Sequence, residues 1–144
     1  MREKSMKEIL TKLCQTKNIS LAQLSRETGI KIKRIYKLCE YNKYPSLENA
    51  IILCNYFNCS IDYLLELTDK PTKRGTYSIN ALHKNYAKLL EKKKTNNGKV
   101  SQELRLGKDR MSEWQRGAVP YVSTLINLAK YFKVSVEYLI REND

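Results

Sequence analysis

The sequence predicts an all-α protein of two tandem five-helix domains joined by a short basic linker. Apolar residues recur every three or four positions along most of the chain, with almost no alternation of the kind that strands show. One stretch, residues 68–78, breaks this pattern with a proline, a glycine and several basic residues, which is typical of a linker. The residues after the break repeat those before it. We therefore predict domains at residues 1–67 and 79–144.

The first three helices each have a local signal. An amphipathic pattern predicts a buttressing helix over about residues 4–17. Ser20 and Gln23 form a capping-box signal that opens the second helix, and Gly29 supplies the backbone freedom for a tight turn after it. A short helix then follows over about residues 32–39, apolar on one side and densely cationic on the other. Such a helix suits a groove lined with phosphates.

Two more helices complete the first domain. Residues 42–45 are expected to form a loop, after which Ser46 can cap a helix that extends to Phe57. Ser60 starts a last short helix in the same way. Serine is a favoured residue at a helix start because its hydroxyl accepts a hydrogen bond from a backbone N–H that has no partner in the first turn.

Composition limits the class of protein. Among the 144 residues, 27 Lys and Arg outweigh 15 Asp and Glu, giving a formal net charge of +12 that favours polyanionic partners. No apolar run approaches the roughly 18 residues that a membrane span requires, so no membrane association is expected. The first residues lack the features of a secretory signal, which predicts a cytoplasmic protein.

The second copy follows the first at a nearly constant spacing. At an offset of 75, the matching pairs are Pro45 and Pro120, Ile51 and Ile126, Leu53 and Leu128, Phe57 and Phe132, Ser60 and Ser135, and Leu64 and Leu139. At an offset of 76, they are Leu24 and Val100, Ser25 and Ser101, Ile30 and Leu106, Ile35 and Met111, and Leu38 and Trp114. The one-residue change falls in the loop before the proline, where a deletion is easily tolerated.

The four cysteines all lie in the first half, and none forms a C-x-x-C pair. Opposite Cys14, Cys54 and Cys59 the second copy has apolar residues, namely Leu90, Ala129 and Val134. We therefore interpret these cysteines as small, reduced hydrophobes, with a redox or metal role as the alternative. The chain has one histidine and no zinc-ligand spacing, so no metal is expected.

Catalytic motifs are absent from the sequence. It contains no Gly-rich phosphate loop, no G-x-S-x-G and no H-E-x-x-H, and its one histidine, His83, lies on a polar stretch. Carboxylates one helical turn from a cation, such as Glu8 near Lys12, are typical of a solvated helix face. We expect no enzymatic activity, no catalytic residue and no cofactor.

Several segments resemble a known family. The second copy has MSEWQRG at residues 111–117 and VPYVSTLINLAKYFKVSVEYLI at residues 119–140, while the first has SLAQLS at residues 20–25 and PSLENAIILCNYFNCSIDYLL at residues 45–65. These segments resemble the lambda-repressor-like (Cro/CI, XRE) helix-turn-helix family. The resemblance covers nearly the whole chain except the linker and implies two tandem lambda-repressor-like helix-turn-helix domains that bind double-stranded DNA.

The resemblance also implies which residues contact DNA. Side chains facing base edges are expected at Ile32, Lys33, Tyr36 and Lys37 in the first domain, and at Lys108, Asp109, Ser112 and Glu113 in the second. Phosphate contacts are expected from Ser20, Lys31, Arg34, Asn42 and Lys43 in the first domain, and from Asn96, Asn97, Arg110 and Arg116 in the second. The alternative for each domain is a charged and solvated helix face.

The second domain departs from the family pattern. Arg105 stands where the turn glycine usually lies, which requires a left-handed backbone or a different turn. Asp109 and Glu113 place carboxylates on the expected reading surface, where only a cytosine partner favours them. Residues 1–69 have 11 basic and 8 acidic residues, against 16 and 7 in residues 70–144, so the more basic half has the less basic recognition helix. The two helices are not expected to read the same half-site.

Three functions follow from these patterns. The leading prediction is a sequence-specific transcriptional regulator, most simply a repressor that occludes a promoter. The rival is a protein-interaction module, as in an antitoxin or a phage counter-defence factor, and the third is non-specific nucleoid-type binding. Either a homodimer or one chain acting as a pseudo-dimer could place two recognition helices about 34 Å apart. An extended linker of eleven residues would just reach that distance. Because few residues follow Ile140, no separate effector domain is expected.

Overall fold

The computed structural model describes residues 5–106, 113–114 and 116–142. The chain divides between Lys73 and Arg74 into two compact units, here called unit 1 and unit 2. The described residues are mostly helical and contain no strand, which confirms the all-α class. Their β-type pairings are two isolated bridges, between Cys59 and Thr72 and between Tyr77 and Arg141.

Five helices form the described part of unit 1. They are α1 (Met6–Lys17), α2 (Leu21–Thr28), α3 (Ile32–Tyr41), α4 (Leu47–Phe57) and α5 (Ile61–Leu64). Serine hydroxyls accept backbone N–H groups at four of the five helix starts, at Ser5, Ser20, Ser46 and Ser60. Three asparagines in the left-handed conformation follow helix ends, at Asn18, Asn42 and Asn58. Asparagine tolerates this conformation because its short polar side chain can bond locally.

The core of unit 1 lies between α1, α2, α3 and α4. Leu24, Ile35 and Leu53 are fully buried, and they come from three different helices. Ile35 is followed one helical turn later by the buried Leu38, so α3 has one apolar side. The opposite side of α3 is thereby left at the surface, where the candidate site is formed.

All four cysteines are free thiols. Cys54 and Cys59 are buried where α4 ends, and the Cys59 N–H donates to the Cys54 carbonyl at 3.1 Å. This bond is the six-to-one closure of a Schellman motif, which brings the two side chains it joins into contact. Burial and the Cys59 thiol raise the pKa of Cys54, whereas the hydrogen bond from Cys54 and the Lys73 ammonium lower the pKa of Cys59.

The described part of unit 2 contains four helices. They are α6 (Ile79–Lys92), α7 (Asn97–Glu103), α8 (Val122–Phe132) and α9 (Val136–Ile140). Residues 113–114 are also helical, and residues 107–112 and 115, among which the resemblance implies most of the recognition helix, lie outside the described part. A second five-helix domain therefore stays a prediction.

A buried asparagine joins the first and last helices of unit 2. The Asn85 side-chain nitrogen, on α6, donates to three carbonyl oxygens at the end of α9, those of Tyr138, Leu139 and Arg141, at 3.0, 3.1 and 2.8 Å. The last carbonyls of a helix have no partner within it, so the carboxamide satisfies groups that burial would otherwise penalise. Asn85 is only 3% exposed.

The predicted linker is held by its neighbours for much of its length. On the unit 1 side, the Pro71 carbonyl accepts from the Ser60 N–H at 2.8 Å. On the unit 2 side, the Arg74 N–H donates to Glu137 Oε1 at 2.9 Å, and the Glu142 N–H donates to the Thr76 carbonyl at 2.8 Å. Residues 71–78 thus differ from a fully extended spacer, because their backbone groups find partners within each unit.

Two absences hold for residues 5–106, 113–114 and 116–142. No helix there has both the length and the apolar character to cross a membrane. No group of three or more His, Cys, Asp or Glu side chains is placed to hold a metal ion.

Candidate nucleic-acid interface

The turn between α2 and α3 is closed by backbone geometry and two hydroxyls. Gly29 has φ 79° and its N–H donates to the Ser25 carbonyl at 2.9 Å. The Ser25 hydroxyl donates to the Ile30 carbonyl at 2.6 Å, while the Thr28 hydroxyl donates to the Leu24 carbonyl at 2.7 Å. Glycine adopts a positive φ without steric cost, and the hydroxyls bond backbone groups that the helix end leaves unpaired. The turn fixes where α3 begins.

Helix α3 presents its cations because its apolar side is used in the core. Ile35 is fully buried and Leu38 is 6% exposed. Lys33, Arg34 and Lys37 occupy the other side and are all exposed. We call these three residues the basic face of α3. Within the described part of the chain, no hydrogen bond or ion pair engages their side chains.

A pocket of about 550 Å³ adjoins the basic face. Its lining comes from α3 and the residue before it, from the loop that follows α3, and from the start of α4, namely Lys31, Lys33, Arg34, Lys37, Leu38, Tyr41, Lys43, Tyr44, Pro45, Ser46 and Asn49. The Lys43 ammonium lies 5.8 Å from the centre of the Tyr41 ring, a cation–π distance. Five of the eleven lining residues are cationic and none is acidic, so the pocket suits an anion.

The end of α3 is fixed by Asn42. This residue has φ 50°, and its side-chain oxygen accepts the Met6 N–H at 2.8 Å, which caps the start of α1. The Asn42 carboxamide therefore has a structural partner as well as the phosphate role that the resemblance implies. Its NH₂ group is the part that can donate to a phosphate oxygen.

The other predicted residues of unit 1 are at the surface to different degrees. Lys31, Lys43 and Tyr36 are exposed, Tyr36 by 53%. Ile32 is half-buried, which limits its side chain to a partial apolar contact. Ser20 is exposed and accepts the Gln23 N–H at 3.1 Å, as the capping-box signal predicts. The Ser20 O–H can still donate. Lys31 and Lys43 lie just before and just after α3 and line the pocket beside it.

In unit 2 the structure places only some of the predicted residues. Asn96 caps α7 by accepting the Lys99 N–H at 2.9 Å, and Asn97 accepts the Tyr86 hydroxyl at 2.7 Å. Glu113 and Arg116 are exposed. Lys108, Asp109, Arg110 and Ser112 lie outside the described residues.

The turn of unit 2 is left-handed despite the missing glycine. Arg105 has φ 56°, one of the two outcomes that the sequence allowed. Its hydrogen bonds differ from those of Gly29: the Arg105 N–H donates to Gln102 at 3.2 Å and the Leu106 N–H to Ser101 at 2.8 Å. For a residue with a Cβ, this conformation costs about 1–2 kcal/mol. A strained residue therefore lies two positions after the end of α7.

Residues of the pocket wall were not predicted from the sequence. Tyr41 is 59% exposed and belongs to α3, which is two residues longer than the pattern predicted. Ser46 and Asn49 line the pocket from the start of α4. One sequence signal could have indicated this part of the wall. Ser46 directly follows Pro45, and a helix that starts there begins next to the basic loop after α3.

Comparison with known proteins agrees with this geometry in unit 1. Residues 9–70 match the family model described as the Cro/C1-type HTH DNA-binding domain. The matched segment contains α2, the Gly29 turn and α3, together with the whole pocket lining. It does not extend to the second copy. No curated protein and no solved structure matches the sequence.

Proposed function

We propose that the protein is a sequence-specific regulator that binds double-stranded DNA and represses transcription by occluding a promoter. The observation that carries the proposal is the basic face of α3, which lies inside a segment that matches a Cro/C1-type DNA-binding domain. A DNA-binding character follows from the match itself. Sequence specificity, repression and the residues involved are our inference.

Helix α3 would enter the major groove, which admits one helix. Lys33 and Lys37 are exposed and can donate to guanine acceptors, while Tyr36 and the accessible part of Ile32 can touch thymine methyl groups. The base-reading side chains lie on successive turns of a helix held by the core at Ile35. A rigid helix keeps these donors at fixed spacing, which is a condition for discrimination between bases.

Phosphate contacts would orient the helix. Arg34, Lys31 and Lys43 line the pocket beside α3 and carry charges that no acidic lining residue offsets. The Ser20 hydroxyl at the start of α2 and the Asn42 amide at the end of α3 add neutral donors. Such contacts set register and affinity, whereas the base contacts set sequence preference.

The test is a selection of binding sequences from random duplexes, followed by two matched variants. Lys33→Ala with Lys37→Ala should weaken binding to the selected duplex by at least about 30-fold and flatten the sequence preference, since each good base contact contributes about 1–3 kcal/mol. Lys12→Ala with Lys70→Ala removes the same charge from other exposed positions of unit 1 and should change affinity less than about threefold. Equal effects of the two pairs would contradict base reading by α3.

A second candidate is a protein-interaction module that binds an acidic protein surface. The observation in its favour is that Tyr36 and Tyr41, 53% and 59% exposed, accompany the basic face. Tyrosine and arginine are both enriched at protein interfaces, and Arg34 belongs to the same face. Duplex affinity that stays micromolar and independent of sequence at physiological salt, with a defined protein that co-purifies and is lost on Tyr41→Ala, would favour this candidate.

The proposal also concerns the part that unit 2 has in DNA binding and the number of chains that bind one DNA site. The second copy would supply a different half-site, because Glu113 is exposed where Lys37 is exposed in unit 1. The two arrangements, a homodimer and one chain acting as a pseudo-dimer, predict different stoichiometry. Sedimentation of the protein with the selected duplex distinguishes two chains per site from one.

A further inference from the structure

Helix α6 carries a line of lysines that the proposed function does not use. Lys84, Lys88 and Lys92 are spaced by four residues and are all exposed. This spacing places them on one side of the helix, with about 6 Å of axial rise between neighbours. We call these three residues the lysine ridge. Lys93 and Lys94, also exposed, follow it directly.

The ridge is specific to unit 2. At the offset of 76, the corresponding positions of α1 hold Glu8, Lys12 and Thr16. The same helix of the repeat thus carries three cations in one copy and a balanced set in the other. A need for solubility alone would favour mixed charges, as on α1, and so does not account for a one-sided line.

The chemistry of the ridge favours phosphate groups over a protein surface. The large hydrophobic residues exposed in the described part of unit 2 are Val119 and Tyr121, and neither lies on α6. Protein interfaces are enriched in aromatic residues and Arg and are depleted in Lys, whereas phosphate backbones are neutralised by Lys and Arg regardless of sequence. The composition of the lysine ridge is therefore that of a phosphate-binding surface.

Nearby carboxylates reduce the positive charge without cancelling it. Glu142 shares a pocket of about 270 Å³ with Lys84 and Lys88, and Glu91 is exposed between the last two lysines of α6. The surface thus has two carboxylates and five lysines, counting Lys93 and Lys94, and its net charge stays positive. The end of the surface formed by Lys92, Lys93 and Lys94 is the more strongly cationic one.

We propose that the lysine ridge binds the phosphate backbone of duplex DNA outside the bases that are read, as a clamp independent of sequence. The inference rests on the proposed function, since DNA held by α3 of the same chain raises the local concentration of phosphates around unit 2. Such a clamp would let unit 2 increase the affinity for DNA without contacting any base. This accounts for a basic unit whose predicted recognition helix is poor in cations.

The test compares two double variants of equal charge in the full chain. Lys88→Gln with Lys92→Gln alters the ridge, and Lys130→Gln with Lys133→Gln alters exposed lysines at the end of α8. Affinity is measured across a range of salt concentrations for the selected duplex and for a shuffled duplex, each about three helical turns long. The ridge pair should reduce the magnitude of the negative slope of log affinity against log salt by about 1.8, which is about 0.9 for each phosphate contact that the variant removes. The control pair should lower it by less than half of that.

The specificity ratio separates this inference from the proposed function. The ridge pair should weaken both duplexes by the same factor, because phosphate contacts carry no sequence information. An unchanged slope in the ridge pair, or equal changes in the two pairs, would overturn the clamp while leaving base reading by α3 intact. A wild-type chain that binds no duplex would overturn both. Loss of a bound protein partner in the ridge pair, with DNA affinity unchanged, would assign the ridge to a protein instead.

Discussion

The Met6 N–H donates a hydrogen bond to the Asn42 side chain across 36 residues of sequence, at 2.8 Å. Met6 is the first residue of α1, and Asn42 directly follows α3. The Asn42 carboxamide at the end of α3 therefore accepts a backbone N–H that has no partner within the first turn of α1. Met6 itself is fully buried. The bond fixes the end of the helix that carries the basic face.

Asn42→Ala and Asn42→Gly should separate the two roles of this residue. Both variants lose the acceptor for Met6, which costs about 1 kcal/mol. Only alanine adds the strain of a positive φ, so Asn42→Ala should be less stable than Asn42→Gly by about another 1 kcal/mol. The measurement is urea denaturation followed by far-ultraviolet circular dichroism. Two equally destabilised variants would show that the backbone conformation at residue 42 contributes little.

A built-in control accompanies this measurement. Trp114 is the only tryptophan of the chain and belongs to unit 2, where it is 5% exposed. If the units unfold independently, its fluorescence transition should keep the same midpoint in both Asn42 variants. A shift of that midpoint would instead show that the two units are energetically coupled.

Replacing the strained turn residue should stabilise unit 2. Arg105→Gly removes a Cβ from a residue with φ 56° and should raise the stability of unit 2 by about 1 kcal/mol, measured by Trp114 fluorescence in urea. Gly29→Ala is the reciprocal variant. Apart from the chain neighbours of Gly29, no atom lies within 4 Å of the added Cβ, so the cost of about 1 kcal/mol arises from the backbone conformation. A neutral Arg105→Gly would argue against strain at this turn.

The helices of unit 1 were largely predictable because their signals are local. Ser20, Ser46 and Ser60 start helices where the sequence placed caps, since an N-cap depends only on a hydroxyl and the three residues after it. The end of α3 was predicted two residues early. Its extension depends on Asn42 and on Met6, a residue 36 positions away, and no local pattern contains that pairing.

The sequence predicts the basic residues that α3 contributes to the candidate site, but it does not predict the wall of the adjoining pocket. The exposure of Lys33, Arg34 and Lys37 follows from the helical spacing of Ile35 and Leu38, which places these three side chains away from the buried side of α3. The pocket wall formed by Tyr41, Ser46 and Asn49 depends instead on how the loop at residues 42–45 folds back. Loop conformation is determined by tertiary contacts, which spacing alone does not reveal.

The buried cysteine pair should be replaceable by its apolar counterpart from the second copy. In unit 2 the Val134 N–H donates to the Ala129 carbonyl at 3.0 Å, the same helix-end closure that joins Cys59 to Cys54. Cys54→Ala with Cys59→Val should therefore keep the fold, with a change in stability of at most about 1–2 kcal/mol from altered packing. The readouts are the dichroism transition and the affinity for the selected duplex. Loss of DNA binding with an intact fold would point to a chemical role for the thiols.

Removing the one carboxylate that the structure describes on α3 should strengthen DNA binding. Glu40 is exposed one helical turn after Lys37. A carboxylate about 8 Å from a phosphate is repelled by roughly 0.5 kcal/mol in water, and by more where the dielectric is lower. Glu40→Gln should thus raise affinity by about two- to fivefold at low salt and by less at high salt, because ions screen the repulsion.

The matched control for Glu40→Gln is Asp69→Asn, which removes one exposed carboxylate from a position 28 residues after α3 ends, outside the pocket lining. Titrations of the selected duplex at two salt concentrations should show a gain for the first variant and almost none for the second. A general effect of net charge would raise affinity equally in both, since each variant changes the charge of the protein by one unit. Equal gains would therefore mean that DNA does not approach the basic face of α3, and that a different surface of the chain determines its affinity.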